Sequence, residues 1–231
     1  MPFSQKTLDF LEENRLRDDR DWYNDHKPEF QEYVLEPLRE LVARLAPAML
    51  AIDPEFVTEP KVDKTISRVY RDTRYSHDKS LYRDVMWCVF RRDKKSRECP
   101  PGFVLELSPR GFRYGCGYYC TPPKTMEAIR ALILKGDRAF REAKEAYDSQ
   151  SVFGLEGESY KRSRYPDEPE DLRLWLDKKH MVFMRNSQDF GLLFSEGLAD
   201  ILIRDFQLLR PMYALFWRGE AEAGKREAER F

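Results

Sequence analysis

Between residues 103 and 119 the chain writes out a β-hairpin. The run Phe103-Val104-Leu105-Glu106-Leu107-Ser108 alternates, Pro109-Arg110-Gly111 supplies a turn, and residues 112–119 return. A Pro-X-Gly turn between two such runs is a strong hairpin signal. A hairpin cannot bury its apolar face alone, so other elements must cover it. The segments on either side decide the fold class.

Upstream, residues 4–14 read as a short helix with Leu8 and Leu11 on one buried face. Residues 21–27 form a helical turn carrying Trp22, Tyr23, His26 and Lys27. A longer helix starts at Pro28, where proline suits a first turn, and repeats Phe30, Val34, Leu38, Leu41, Leu45 and Met49 at three- and four-residue steps. Pro37 and Pro47 fall inside that pattern and are expected to kink or break it. Residues 84–92 are rich in β-branched and aromatic side chains and read as a strand, followed by a polar loop over 93–97.

Downstream, a helix is expected from Pro122-Pro123 to about Lys135, stopped by Gly136. Asp137 caps the next helix, to about Ser149. Residues 153–164 read as strand plus loop, 170–177 as a short helix and 181–185 as a short strand. A helical region opens at Ser195 and is divided by Pro211, and residues 221–231 read as a frayed tail. Gly115 and Gly117 inside the returning strand mark a bulge or a close approach to another strand or to a ligand. With no repeat, linker or composition shift, the expectation is one α+β domain over 1–231. It has a helical opening over 1–53, a sheet-rich middle over 57–120 and a mixed helical part over 122–220 around an antiparallel sheet.

The densest chemistry lies in residues 65–83. Arg68, Arg71, Arg74, Lys79 and Arg83 are interleaved with Ser67, Thr73, Ser76 and Ser80, with Tyr70, Tyr75 and Tyr82, and with Asp72 and Asp78. Guanidinium forks and hydroxyls are what a protein gathers around a phosphate or carboxylate. If this segment turns, Arg68, Arg71 and Arg74 converge on one ligand; if it is extended, Arg71 points away from the other two. The competing structural reading pairs these arginines with Asp72, Asp78 and Glu106 to pin the loop.

The run TISRVYRDTRYSHDKSLYRDVMWCVFRR, the later PGFVLELSPRGFRYGCGYY and the opening FLEENRLRDDRDWYNDHKPEF together carry a resemblance that covers nearly the whole chain. They resemble a widespread, mainly bacterial family of conserved hypothetical proteins, described as a domain of unknown function. Leu81 stands where members often have Pro, and Asp18-Asp19 where an Asn pair is common. The resemblance implies an α+β domain and no established activity.

Net charge is −1, which argues against global steering toward nucleic acid or an anionic membrane. Locally, residues 61–97 carry twelve Lys and Arg against five Asp. The leading expectation is a small phosphorylated or carboxylated ligand held by Arg68, Tyr70, Arg71, Asp72, Arg74, Lys79, Tyr82 and Trp22, with His26 and His77 as candidates for proton transfer. One alternative is nucleic-acid binding, extended by Arg91, Arg92, Lys94, Lys95 and Arg97 with stacking tyrosines. The other is a purely structural or protein-interaction domain.

No cofactor fingerprint, phosphate-binding glycine loop or nucleophile elbow is present. Cys88, Cys99, Cys116 and Cys120 lack a second pair at zinc spacing, and His26, His77 and His180 have no carboxylate at ligand spacing, so no metal is expected. No apolar run approaches membrane-spanning length, and a cytoplasmic, soluble protein is the expectation.

Overall fold

The hairpin forms as its sequence requires and sits inside a larger sheet. The computed structural model describes residues 3–74, 77–93 and 99–228 and has an α+β fold. Its strands are β1 (Met86–Arg91), β2 (Gly102–Ser108), β3 (Gly111–Gly117), β4 (Gly154–Glu156) and β5 (Val182–Ser187). They form one antiparallel sheet in the order β1-β2-β3-β5-β4. The chain divides into two compact units. The first is Met1–Phe90, Val104–Tyr114 and Asn186–Arg204, and the second is Arg91–Phe103, Gly115–Arg185 and Asp205–Phe231.

The first unit opens with α1 (Gln5–Arg17), α2 (Arg20–Asp25) and α3 (Lys27–Phe30), then a π-helical turn (Gln31–Leu35) that runs into α4 (Glu36–Ile52). Neither proline breaks this helical run, contrary to the expectation from its pattern. Pro37 lies in the first turn of α4, directly after the π turn. A helical amide at position 37 would have donated to the carbonyl of Tyr33. That carbonyl instead accepts from the Thr7 hydroxyl of α1 at 2.6 Å, so the missing donor is replaced from a neighbouring helix. Pro47 stands on the exposed side of α4 with Ala43, the residue whose carbonyl a helical amide at 47 would have met. Leu38, Leu41, Val42, Leu45 and Met49 are buried on the opposite face, as their spacing requires.

In the second unit are α5 (Pro123–Leu134), α6 (Arg138–Asp148) and α7 (Glu170–Leu176). Gly136 adopts φ +59°, and the Asp137 carboxylate accepts from Ala139 N at 2.9 Å, so stop and cap work as expected. Trp175 of α7 is buried, with Phe140, Tyr147 and Phe183 around it at centroid distances of 5.4–5.5 Å. Gly115 and Gly117 mark a close approach to a strand: a Cβ on Gly115 would fall 1.9 Å from the carbonyl oxygen of Phe183 in β5. The ambiguous segment after residue 153 contains β4, whose Leu155 pairs with Phe183.

The remaining helices are α8 (Phe190–Leu193), α9 (Leu198–Leu208) and α10 (Arg210–Ala228). Pro211 does divide the C-terminal region, at the first turn of α10. The frayed tail expected from residue 221 is helical through Ala228. Among the described residues, no helix is long and apolar enough to cross a membrane.

Candidate functional site

Residues 65–71 run out beside 81–89 as an irregular antiparallel pair. Val89 N donates to Thr65 O (2.8 Å), Ser67 N to Trp87 O (2.9 Å), Arg83 N to Val69 O (2.9 Å) and Arg71 N to Leu81 O (2.8 Å). Ile66 bridges Cys88 and Tyr70 bridges Tyr82. Between these bridges the outgoing limb advances four residues and the returning limb six. The two additional residues make the returning limb bulge around Asp84, as unequal strand lengths must. A hollow of about 220 Å³ opens at that bulge, lined by Arg71, Asp72, Arg83, Asp84 and Val85. A broader one of about 610 Å³ shares Val85 and continues past Glu106, Ser108, Arg110, Arg113, Asn186 and Gln188.

The extended limb sends its arginines to different carboxylates instead of gathering them. Arg68 pairs with Asp63, and Arg74 with Asp72 at 2.7 Å. Arg71 reaches Asp78 at 3.3 Å, and Arg15 of α1 reaches the same carboxylate at 3.0 Å. The Arg74 contacts hold the Asp72 carboxyl down at about 2, through side-chain and then backbone hydrogen bonds. Asp78 is also held below the ordinary carboxylate range, first by hydrogen bonds from the Ser80 hydroxyl and amide and then by Arg71 and Arg15. Lys79 Nζ donates to Thr73 O at 2.8 Å, closing the tip of the loop. His77 is exposed at that tip. Tyr75 and Ser76, with Lys94, Lys95, Ser96 and Arg97 of the basic extension, lie outside the described residues.

At the base of the loop three phenol rings meet. Tyr23 of α2 packs against Tyr70 at 5.5 Å and Tyr82 at 5.0 Å, and those two are 5.1 Å apart. Burial pushes the Tyr23 phenol up to about 12 and moves Tyr82 still higher, with Tyr70 a further cause for both. Tyr23 and Tyr82 therefore stay protonated across the neutral range. The N-terminal aromatic segment thus meets the arginine-rich loop through Tyr23. Trp22 faces Phe10 at 5.7 Å and stacks on His26 at 4.1 Å, and the His26 Nδ1–H donates to Trp22 O at 2.8 Å.

Asp18 and Asp19 have clear structural work. Asp18 ends α1 in the left-handed region at φ 50°, and its Oδ1 accepts from Leu81 N at 2.7 Å and Tyr82 N at 3.2 Å. Asp19 caps α2 by accepting from Trp22 N at 2.7 Å. Asparagine presents the same Oδ1 and tolerates the same backbone region, which makes the two residue types interchangeable here. Asp18→Asn is therefore expected to stay within about 1 kcal/mol of the parent in urea unfolding. Asp18→Ala, which strands two amides and strains the backbone, is expected to lose about 2–3 kcal/mol. A proline at 81 would lack the amide that Leu81 donates.

Arg83, Asp84 and Arg110 are the participants that sequence reasoning did not place in a site. Arg83 lies over the Trp87 ring at 4.6 Å, and Arg110 of the hairpin turn reaches Asp84 at 2.6 Å. Arg113 pairs with Glu106, the carboxylate expected to pin the loop. The unequal limb lengths that expose Arg83 and Asp84 leave no local mark in the sequence. Among the described residues, no group of three or more His, Cys, Asp and Glu could hold a metal ion.

No curated protein matches this sequence. A family model described as "Conserved hypothetical protein (DUF2461)" matches residues 6–215, which takes in α1, the arginine-rich loop, the sheet and the start of α10. With most of its length matched in this way, the chain belongs to the DUF2461 family of conserved hypothetical proteins.

Proposed function

We propose that this protein binds a small phosphorylated or carboxylated molecule in the hollow beside the bulged limb, gripped by Arg71, Arg83 and Arg110. The observation that carries the reading is the bulge itself. It places Arg71 and Arg83 on the wall of one hollow with Asp84, and Asp84 in turn holds Arg110. Carboxylates that orient guanidinia on a concave surface leave further N–H donors for two acceptor oxygens of a ligand. Asp72 and Asp84 position the cations, while Arg68, Arg74 and Lys79 shape the loop through Asp63, Asp72 and Thr73. Tyr70, 44% exposed, offers a ring and hydroxyl at the loop's base. Trp22, His26 and Tyr82 support that base, and no reaction is assigned to His26 or His77.

A second reading is favoured by the same ion pairs. Arg68–Asp63, Arg74–Asp72 and Arg71–Asp78 are the contacts that a purely scaffolding loop would make. Thermal unfolding across a panel of anions separates the two. The panel comprises inorganic phosphate, sugar phosphates, nucleotides, dicarboxylates and a short single-stranded RNA, each at two salt concentrations. A ligand at a hundredfold its Kd adds about 2.7 kcal/mol. For a chain of this size that raises Tm by about 5–10 °C. The expected result is such a rise with one class of small anion, lost in Arg71→Ala and Arg83→Ala variants that keep the parent's urea midpoint. A rise only with RNA that vanishes at high salt would move the assignment to nucleic acid. A flat response across the panel would make the arginines scaffold.

A further inference from the structure

The four cysteines fall into two classes. Cys88 and Cys116 are buried in β1 and β3, and burial pushes the Cys88 thiol up to about 12 and Cys116 well above its ordinary value. These are packed, unreactive sulfurs. Cys120 is exposed and Cys99 half-buried, and they lie side by side: the backbone N–H of Cys120 donates to Cys99 Sγ at 3.2 Å. The hairpin explains the meeting. Cys99 stands nine residues before Ser108, the last residue of β2, and Cys120 nine after Gly111, the first of β3. The two are equally far from the turn, and beyond the ends of the strands, where both lie in bends, the 3.2 Å N–H···S contact is what joins them. A disulfide needs a Cβ separation of roughly 3.5–4.5 Å, and a sulfur that already touches the Cys120 backbone lies within reach of that geometry.

We propose that Cys99 and Cys120 form a reversible intramolecular disulfide when the protein meets hydrogen peroxide or an organic hydroperoxide. The Cys99 thiolate attacks one peroxide oxygen, the O–O bond breaks, and hydroxide or alkoxide leaves, giving a sulfenic acid on Cys99. The Cys120 thiolate then attacks that sulfur; the S–S bond forms, the S–O bond breaks, and the departing hydroxide takes up a proton as water. In sum, two thiols are oxidised by two electrons, and the peroxide is reduced to two waters or to water and an alcohol. Cys99 is the attacking sulfur because the Cys120 amide already donates to it. Cys120, open to solvent and within reach, is the resolving thiol.

The test uses the full chain, reduced and then treated with hydrogen peroxide. Remaining thiols are alkylated in denaturant and the protein is digested for mass spectrometry. The expected product is a pair of peptides joined through Cys99 and Cys120, lighter by two hydrogens and released by dithiothreitol. In Cys120→Ser, dimedone should label Cys99 as a trapped sulfenic acid. In Cys99→Ser, Cys120 should remain a free thiol. Protection of Cys88 and Cys116 from alkylation without denaturant reports that each variant is folded. Full alkylation of both Cys99 and Cys120 after peroxide would overturn the proposal. So would links that join only different chains, or a Cys99→Ser variant in which Cys120 itself is oxidised at the parental rate.

Discussion

Gly115→Ala is expected to destabilise the protein by about 3 kcal/mol or more, read as a lowered urea midpoint with an unchanged denaturant slope. The reason is a contact that no rotamer can relieve. An alanine Cβ at 115 would lie 1.9 Å from the Phe183 carbonyl oxygen, 2.9 Å from its carbonyl carbon and 2.8 Å from the Met184 sulfur. The sulfur can swing aside, but the carbonyl belongs to the backbone of β5. To make room, β3 and β5 must separate by more than an ångström, which stretches the hydrogen bonds between them. Phe183, fully buried against Trp175 and Tyr147, would be pulled with its backbone. Gly154, where nothing lies within 4 Å of an added Cβ, is the control: Gly154→Ala is expected to stay within about 1 kcal/mol. If the two variants unfold at the same urea concentration, the close β3–β5 approach is wrong.

Arg130→Ala is expected to have a comparable effect, about 3–5 kcal/mol. Arg130 lies on α5 with only 3% of its surface exposed. Its Nε donates to Leu176 O at 3.0 Å, one terminal nitrogen to Lys178 O at 2.6 Å and the other to Glu127 at 2.9 Å. Leu176 and Lys178 lie at and just beyond the end of α7, where helix carbonyls lack partners and carry the negative end of the dipole. One guanidinium therefore caps one helix from another. Removing it leaves those carbonyls unsatisfied and opens a void. Arg130→Lys keeps the charge but not the planar fork, and is expected to recover only part of the loss. Urea unfolding of the alanine, lysine and parent proteins should give three ordered midpoints. A lysine variant as stable as the parent would show that charge alone suffices.

Where the chain carries its own local instruction, the sequence was readable. The Pro-Arg-Gly turn and the alternation around it specify β2 and β3, because strand period and turn chemistry need only neighbours. Gly136 and Asp137 mark the end of one helix and the start of the next, since a left-handed residue and an N-cap act within one turn. Pro37 shows the limit of such reading. Its effect on the helix depends on what happens to the Tyr33 carbonyl, and the answer is the hydroxyl of Thr7, twenty-six residues away.

The arginine-rich stretch divides in the same way. Its wealth of donors was plain from residues 65–83, because composition is local and guanidinium chemistry does not depend on context. Which cations share a surface was not, because an extended limb sends neighbouring side chains to opposite sides. The pairing of residues far apart then selects their partners. Thus Arg68 and Arg74 went to nearby aspartates, while Arg71 came to share a hollow with Arg83 and Asp84. The sequence by itself determined an α+β fold, the hairpin over 103–119 and the wealth of arginines over 65–83. Only tertiary structure decided that Asp18 and Tyr23 hold that loop's base, that two additional residues on one limb open its hollow, and that Cys99 meets Cys120. Each of those depends on register between separate segments, a long-range quantity that is fixed when buried faces are matched and is written at no single position along the chain.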